Sequence, residues 1–305
     1  MNKKSVFIII AALIIFICHV QYGFAKDPQV GVVLSNNILY FEDIHKAFTR
    51  ELQVEGIKAD IVVQKPAPDR MAWTNAARKF VALEMDVIVT YGGPATLAVI
   101  SETSKIPVVF AGVCEGKALE SKGNATGITS KVSIARLLKT LKGIKNFSTL
   151  GIIYNSVEKS TLDEVAEIER LSGQLSFKPE KFNMKTRGEI SDIKHVDALY
   201  ITSSCMAVLR IDDIISLARK QKIPTAASMG GLEEEGVLLT MFADPEQQGK
   251  TAAQMLARIL KGKSPSSIPE ENAQKIHLVI NLKEAIILGL TVPFDTLSVA
   301  TQIIK

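Results

Sequence analysis

The 305-residue chain has few of the residues that cross-link small exported domains or bind metal ions. Of its three cysteines, Cys114 and Cys205 lie beyond residue 25, on separate segments. They can form one disulfide at most, and two buried free thiols are the favoured interpretation. His45, His195 and His277 are far apart and match no metal-ligand spacing, so we predict no metal and no other cofactor.

The chain also lacks an excess of charge of one sign. Its 36 lysines and arginines stand against 32 aspartates and glutamates. Without Lys3 and Lys4 of residues 1–25, which contain no acid, 34 basic residues face the same 32 acids. This balance gives no electrostatic argument for nucleic acid or an anionic membrane as a partner. With 47% hydrophobic residues, the chain is long enough to bury one large core or two medium ones.

Residues 1–25 have the three parts of a secretory signal. Two lysines near the start precede an apolar run at 6–20, and Gly23 and Ala25 place small residues where a signal peptidase cleaves. A permanent anchor is the alternative, but the run is at the short end for a span of about 20 residues. Lipid attachment at Cys18 is disfavoured, because an isoleucine precedes it. We therefore predict cleavage after Ala25 and a periplasmic or otherwise extracytoplasmic location.

From residue 30 onward, short runs rich in valine and isoleucine alternate with amphipathic helical patterns. Strands are predicted at 30–34, 59–63, 86–90 and 107–111, with helices near 40–55, 69–84 and 94–103. The pattern restarts with strands at 149–154, 178–182, 197–202, 224–227 and 237–241, and helices near 160–173 and 208–221. This alternation predicts an α/β protein with parallel sheets in two similar lobes.

A helix predicted over 244–261 follows both sets of strands. Asp244 suits its N-cap, Pro245 its first turn, and Gly262 the position after its end. A strand at 276–280 and a short helix to Gly289 come next. Elements this late in the chain indicate that it crosses back between the lobes.

The sequence contains no complete enzyme motif. Gly249-Lys250-Thr251 is similar to the end of a P-loop, but Asp244 stands where that loop needs its first glycine. The sequence contains no Gly-x-Ser-x-Gly elbow and no dinucleotide fingerprint. The acidic run Glu233-Glu234-Glu235 is interpreted as a solvent-exposed face. We therefore predict that the protein is not an enzyme.

The candidate ligand-binding residues lie in the loops after the predicted strands. Ligands of parallel sheets bind at these strand ends, where helix N-termini offer free N–H groups. The loops of both halves are rich in serine, threonine, asparagine and glycine, which favours a small polar ligand. The candidates of the first half are Ser35, Asn36, Asn37, Tyr40, Tyr91, Gly92, Gly93, Pro94, Ala95, Thr96, Cys114 and Glu115. Those of the second half are Asn155, Ser203, Ser204, Ser228, Met229 and Asp244.

Motifs spread over most of the chain point to one family. They are DVIVTYGGPAT (86–96), KIPVVFAGV (105–113), GNATG (123–127), LGIIYN (150–155), GKTAA (249–253), ILKGKSP (259–265), IP (268–269), LVINLK (278–283) and GLTVP (289–293). In this order and spacing they resemble the solute-binding proteins of ABC transporters. The resemblance is to the type I periplasmic-binding branch, whose better-known members take aromatic or branched amino acids.

The resemblance implies two Rossmann-like lobes joined by three crossings, near residues 128, 243 and 277, with the ligand enclosed between them. The predicted lobes comprise 26–127 plus 244–276, and 128–243 plus 277–305. Hinge closure would report ligand occupancy to a membrane partner. We therefore expect a monomer that captures a small molecule and delivers it to an ABC permease.

The chain departs from the family pattern at the ligand. Amino-acid-binding relatives often carry a Thr-Asp pair after the fourth strand, where this chain has Cys114-Glu115, and Glu115 would supply a carboxylate with a longer reach. Relatives often have acidic residues near 203–206 and 228–231, which are uncharged here. The ligand is therefore predicted as a small polar metabolite, with an amino acid as one choice. The alternatives are a sensory subunit of the same fold that reports to a membrane kinase or chemoreceptor, and an exported Rossmann-type enzyme.

Overall fold

The computed structural model describes residues 26–114, 123–185, 190 and 193–305. The predicted signal peptide and Glu115 lie outside the described residues. None of the helices in the described ranges is long and apolar enough to cross a membrane.

The described strands form two sheets. In chain order they are β1 (Gln29–Leu34), β2 (Asp60–Gln64), β3 (Val87–Tyr91), β4 (Val108–Val113), β5 (Ala125–Thr129), β6 (Thr149–Tyr154), β7 (Lys178–Asn183), β8 (Ala198–Ile201), β9 (Thr225–Ala227), β10 (Leu239–Ala243), β11 (Glu271–Asn272), β12 (Ile276–Asn281) and β13 (Gln302–Ile304). The first sheet has the order β11-β5-β4-β3-β1-β2, and the second has the order β13-β12-β10-β9-β8-β6-β7. Every strand pair in the first sheet is parallel, whereas the second has one antiparallel pair, β10 with β12.

Helices cover both faces of each sheet. They are α1 (Leu39–Val54), α2 (Arg70–Ala82), α3 (Gly93–Glu102), α4 (Ile134–Ile144), α5 (Lys159–Ser172), α6 (Cys205–Leu209), α7 (Ile211–Gln221), α8 (Pro245–Leu260), α9 (Leu282–Leu288) and α10 (Phe294–Ser298). On the first sheet, α1 and α8 bury one face and α2 and α3 the other. On the second, α4, α5 and α9 share one core, and α6 and α7 another. This double coverage explains why β3 and β4 are buried along their whole length.

The chain passes between the sheets three times. It leaves the first sheet after β5, returns after β10 with α8, and leaves again between β11 and β12. We call the first sheet with α1–α3 and α8 the first lobe, and the second sheet with the other helices the second lobe. The domain boundaries given above stay predictions.

The approach of α1 to α8 depends on Gly249. A Cβ at this position would lie 2.2 Å from the Ile44 carbonyl oxygen and 2.6 Å from the Phe48 nitrogen. Only glycine lets the two helix backbones come this close. The glycine of the rejected P-loop tripeptide is therefore a packing residue.

Two features of the second lobe differ from the sequence-based expectation. The helix predicted at 208–221 is two helices, because Arg210 between them has a non-helical backbone (φ −119°, ψ 20°). Helix α4 was not predicted, although its buried residues follow a helical spacing: Leu137, Leu138, Leu141 and Ile144. The predicted cap of α8 is confirmed, since the Asp244 carboxylate accepts the Gln247 N–H at 2.7 Å.

Candidate ligand-binding cleft

Two adjoining cavities lie between the lobes, at the carboxyl ends of the strands. The outer cavity has a volume of about 620 Å³ and is lined from both lobes, by Trp73, Leu97 and Glu102 on one side and by Asn155, Glu158 and Met206 on the other, among further residues. The inner cavity has a volume of about 20 Å³. Its lining is Ser35, Asn36, Phe41, Gly92, Gly93, Pro94, Gly112, Cys114, Ser160, Ser203, Cys205 and Met229. Because Gly93, Pro94 and Ser160 line both, the two cavities form one cleft.

Ser35 is the centre of the first-lobe side of the cleft. Its hydroxyl accepts the Ala95 N–H at 3.0 Å, and its carbonyl accepts the Trp73 indole N–H at 2.9 Å. Gly92 has a φ of +91°, and a Cβ there would lie 2.5 Å from the Ser35 hydroxyl. These neutral groups hold the loop after β1 against the start of α3.

Asn36 and Tyr40 carry buried polar atoms without a hydrogen-bond partner in the described part of the chain, Asn36 Oδ1 and Tyr40 Oη. Asn36 is only 2% exposed, and its Nδ2 donates to Cys205 Sγ at 3.8 Å. The Tyr40 ring packs edge-on against Phe242. Burial, with Cys114 and Asp244 nearby, raises the pKa of the Tyr40 phenol, so it stays a neutral donor.

Some predicted residues of the first half lie behind or beside the cavity wall. Tyr91 is fully buried, and its hydroxyl lies 3.2 Å from His45 Nδ1. Ala95 packs in the core, and the Thr96 hydroxyl pairs with Thr90 at 2.8 Å. Asn37 is exposed and lines neither cavity.

Glu164 of α5 holds the second-lobe loops from behind. Its carboxylate accepts the N–H of Ser203 at 2.8 Å and the hydroxyls of Ser203, Ser228 and Tyr200 at 2.5, 2.6 and 2.8 Å. Burial raises the pKa of Glu164, against the hydrogen bonds from the two serines and the tyrosine. Ser228, a predicted site residue, therefore points to this carboxylate, while the neighbouring Met229 lines the inner cavity.

A second carboxylate, Glu158, lies at the N-cap of α5. It accepts the Ser204 hydroxyl at 2.9 Å and the Cys205 N–H at 2.8 Å, and it lines the outer cavity. Burial raises its pKa, opposed by hydrogen bonds from Cys205, Ser204 and Met206. Ser204 thus positions a loop and does not face the cavities.

The sequence carried a signal for one of these two acids. Glu164 falls on the buried stripe of α5 with Val165, Ile168 and Leu171. An acid at such a position indicates a buried polar network. Glu158 precedes the helix and had no such signal.

The prediction that the acidic run is a solvent-exposed face is wrong for Glu233. This residue is 8% exposed and accepts the Thr240 hydroxyl at 3.1 Å, whereas Glu234 and Glu235 are exposed. Burial raises the pKa of Glu233. The turn at Gly231 and Gly236, both with positive φ, brings this one acid inward.

Asp244 lies at a crossing between the lobes, away from both cavity linings. Its carboxylate binds the Lys275 ammonium at 2.8 Å and His277 Nε2 at 2.6 Å. Burial alone would raise the pKa of Asp244, but the hydrogen bonds from Lys275, His277 and the Gln247 N–H lower it. The second and third crossings are therefore tied together at this carboxylate.

The lobes touch directly within the cleft. The Cys205 thiol of the second lobe lies 3.9 Å from the Ser35 carbonyl and packs in the first-lobe core beside Trp73. Ile38 of the first lobe packs in turn against the core of the second. No group of three or more histidine, cysteine or acidic side chains in the described ranges is placed to hold a metal ion.

A two-lobed α/β chain with its cleft at the strand ends matches one known family over nearly its whole length. The chain belongs to the ABC transporter substrate binding protein family, whose model matches residues 32–304. The proteins of this family bind solutes outside the cytoplasm. Both the predicted family and the type I periplasmic-binding fold are confirmed.

Three relatives place this family member among known proteins. The tyrosine-binding protein of Clostridioides difficile is 25% identical over 273 residues, which are 84% of this chain and 79% of that protein. An ABC domain of Streptococcus pneumonia in complex with L-Trp superposes with a TM-score of 0.85, at 24% identity over 92% of this chain and all of that one. A ligand-free, open substrate-binding protein of Clostridium difficile superposes with a TM-score of 0.67, at 23% identity over 91% of this chain and 99% of that one.

Proposed function

We propose that this protein captures a small amino-acid-like metabolite between its lobes and delivers it to an ABC permease. The observation that carries the proposal is the cleft itself, in which both lobes supply the wall and the buried Asn36 oxygen has no partner among the described residues. A buried acceptor of this kind is stabilised by a donor on a ligand. The outer volume of about 620 Å³ suits a metabolite of amino-acid size.

The relatives favour an amino acid over other small polar ligands. One is named for tyrosine, and the solved neighbour contains L-Trp. In the cleft, Trp73, Phe41 and Met229 offer apolar contacts beside the polar groups of Ser35 and Asn36. A ligand with one polar end and one apolar or aromatic end would match both kinds of wall.

The proposed mechanism is closure about the three crossings. The proposed lobes are 26–127 plus 244–276, and 128–243 plus 277–305. The Asp244 carboxylate, which binds both Lys275 and His277, would make two of the crossings move as one. A ligand that touches both lobes stabilises the closed form, and a permease would recognise that form.

The same proposal covers export. We infer that residues 1–25 are removed after Ala25, that the mature protein acts as a monomer outside the cytoplasm, and that Glu115 lies near the ligand. Mass spectrometry of the protein recovered from the cell envelope tests the cleavage site, with Lys26 expected as the first residue.

The test of binding is a thermal-shift screen of residues 26–305 with amino acids, nucleosides, sugars and small anions. An amino acid at a hundredfold excess over its dissociation constant should stabilise the protein by about 2.7 kcal/mol. Asn36→Ala should lower the affinity for that ligand. Asn37 is the exposed neighbour of Asn36, and Asn37→Ala should leave the affinity unchanged. The absence of a shift with every class of compound would contradict the binding proposal.

Delivery to a permease has its own test. Cells that lack this protein should lose uptake of the radiolabelled ligand identified by the screen. Intact uptake, together with a lost cellular response to the ligand, would replace the import role by the sensory one.

A further inference from the structure

The second-lobe loops at 203–206 and 228–231 contain no charged residue, yet a carboxylate reaches the cleft from the start of α5. Glu158 lines the outer cavity and is 7% exposed. No lysine, arginine or histidine of the described residues forms an ion pair with it. Arg70, Lys159 and Lys185 line the same cavity, but none of them is in direct contact with this carboxylate. A carboxylate removed from water without a direct ion pair is costly, and a cation in contact with it would offset that cost.

A second acceptor faces the same region from the first lobe. Asn36 lines the inner cavity, and its buried Oδ1 has no hydrogen-bond partner in the described ranges. Cys205 contacts both residues: its N–H donates to Glu158 at 2.8 Å, and its sulfur accepts from Asn36 Nδ2 at 3.8 Å. Cys205 thus connects Glu158, which lines the outer cavity, to Asn36, which lines the inner one.

This pair matches one chemical group. An ammonium has three N–H donors and a positive charge, whereas a hydroxyl brings one donor and no charge. We propose that Glu158 and Asn36 together receive the ammonium group of the ligand, so that Glu158 selects amino-bearing ligands against their deaminated analogues. This inference rests on the proposed function and names the group that the cleft recognises.

Glu164 does not compete for this role. It is as little exposed as Glu158 but lines neither cavity, and its two oxygens already accept four hydrogen bonds, from Ser203, Ser228 and Tyr200. Its carboxylate is therefore saturated by the loops that it supports. Glu158 accepts hydrogen bonds from Ser204, Cys205 and Met206, but unlike Glu164 it borders the open volume of the outer cavity.

The experiment compares two ligands on wild-type protein and Glu158→Gln by calorimetry. The ligands are L-tyrosine and 3-(4-hydroxyphenyl)propionate, or L-tryptophan and 3-indolepropionate if the screen favours that amino acid. The two members of each pair differ only in the amine. We expect Glu158→Gln to lower the affinity for the amino acid about tenfold or more, and the affinity for the deaminated acid by less than about threefold. Asp163→Asn makes the same charge change at an exposed position of α5 and should leave both affinities unchanged.

A purely structural role for Glu158 predicts a different result, because a misplaced loop would weaken both ligands alike. The assignment is overturned if Glu158→Gln keeps the wild-type preference for the amino acid over its deaminated analogue, or if it lowers the affinity for both ligands equally. If that variant fails to fold, Asn36→Ala serves instead: a reduced preference for the amine supports the pair, and an intact preference overturns it. Failure of the wild type to bind any amino acid would instead contradict the proposed function itself.

Discussion

The two lobes hold their cleft loops by different chemistry. In the first lobe, the Ser35 hydroxyl and carbonyl bind the Ala95 N–H and the Trp73 indole, and every group is neutral. In the second lobe, Glu158 and Glu164 of one helix accept hydrogen bonds from the loops after β8 and β9. Similar α/β architecture therefore does not fix how a cleft loop is held. The second lobe should be the more sensitive to substitution and to pH.

The largest expected effect is the loss of the Glu164 carboxylate. Glu164→Ala leaves the Ser203 N–H and three hydroxyls without their acceptor, and should lower the free energy of unfolding by about 3–5 kcal/mol. Ser35→Ala removes one hydrogen bond of the first lobe and should lower it by about 1–2 kcal/mol. Urea denaturation of both variants measures the difference. Equal losses would remove the contrast between the lobes.

An intermediate effect is expected where the lobes differ in backbone packing. Gly249→Ala forces a Cβ against the Ile44 carbonyl and should lower the stability by about 2–3 kcal/mol. Gly151 of β6 is the matched position in the second lobe, where a Cβ would meet the Leu199 side chain at 2.6 Å. Because a side chain moves more easily than a helix backbone, Gly151→Ala should lose about 1–2 kcal/mol. Thermal melts rank the pair, and the reverse order would count against a rigid contact between α1 and α8.

The smallest effect is a pH dependence. Since burial raises the pKa of folded Glu164 above 4.5, its stabilisation is complete below that pH and is lost as the pH rises through the folded pKa. Glu164→Gln cannot titrate, so the stability advantage of the wild type over this variant should shrink with rising pH. Chemical denaturation between pH 4.5 and 8 measures it. The difference in stability between Ser35→Ala and the wild type should not change with pH. A difference between Glu164→Gln and the wild type that is equally constant would show that the pKa of Glu164 is not raised in the folded protein.

The strands could be predicted because parallel strands buried on both faces are continuous runs of valine and isoleucine. The short strand β5 could not, since its sequence ATGIT contains a glycine and is paired through β4 and the distant β11. The candidate loops were also predictable, but not the direction of each side chain. Gly92 and Gly93 reach the cavity, whereas Tyr91 beside them turns into the core. Glu158 could not be predicted, because its partners Ser204 and Cys205 are remote in sequence, whereas the only signal for Glu164 is its place on the buried stripe of α5.

The close contact of α1 with α8 has a consequence for how the chain is made. Residues 29–129 supply five of the six strands of the first sheet, yet one face of that sheet also needs Met255, Leu256 and Ile259. A ribosome that works from the N-terminus delivers those residues more than a hundred positions later. The lobe that is begun first is thus completed only after five strands of the second sheet have been made, and the part of its apolar face that α8 covers stays exposed until then.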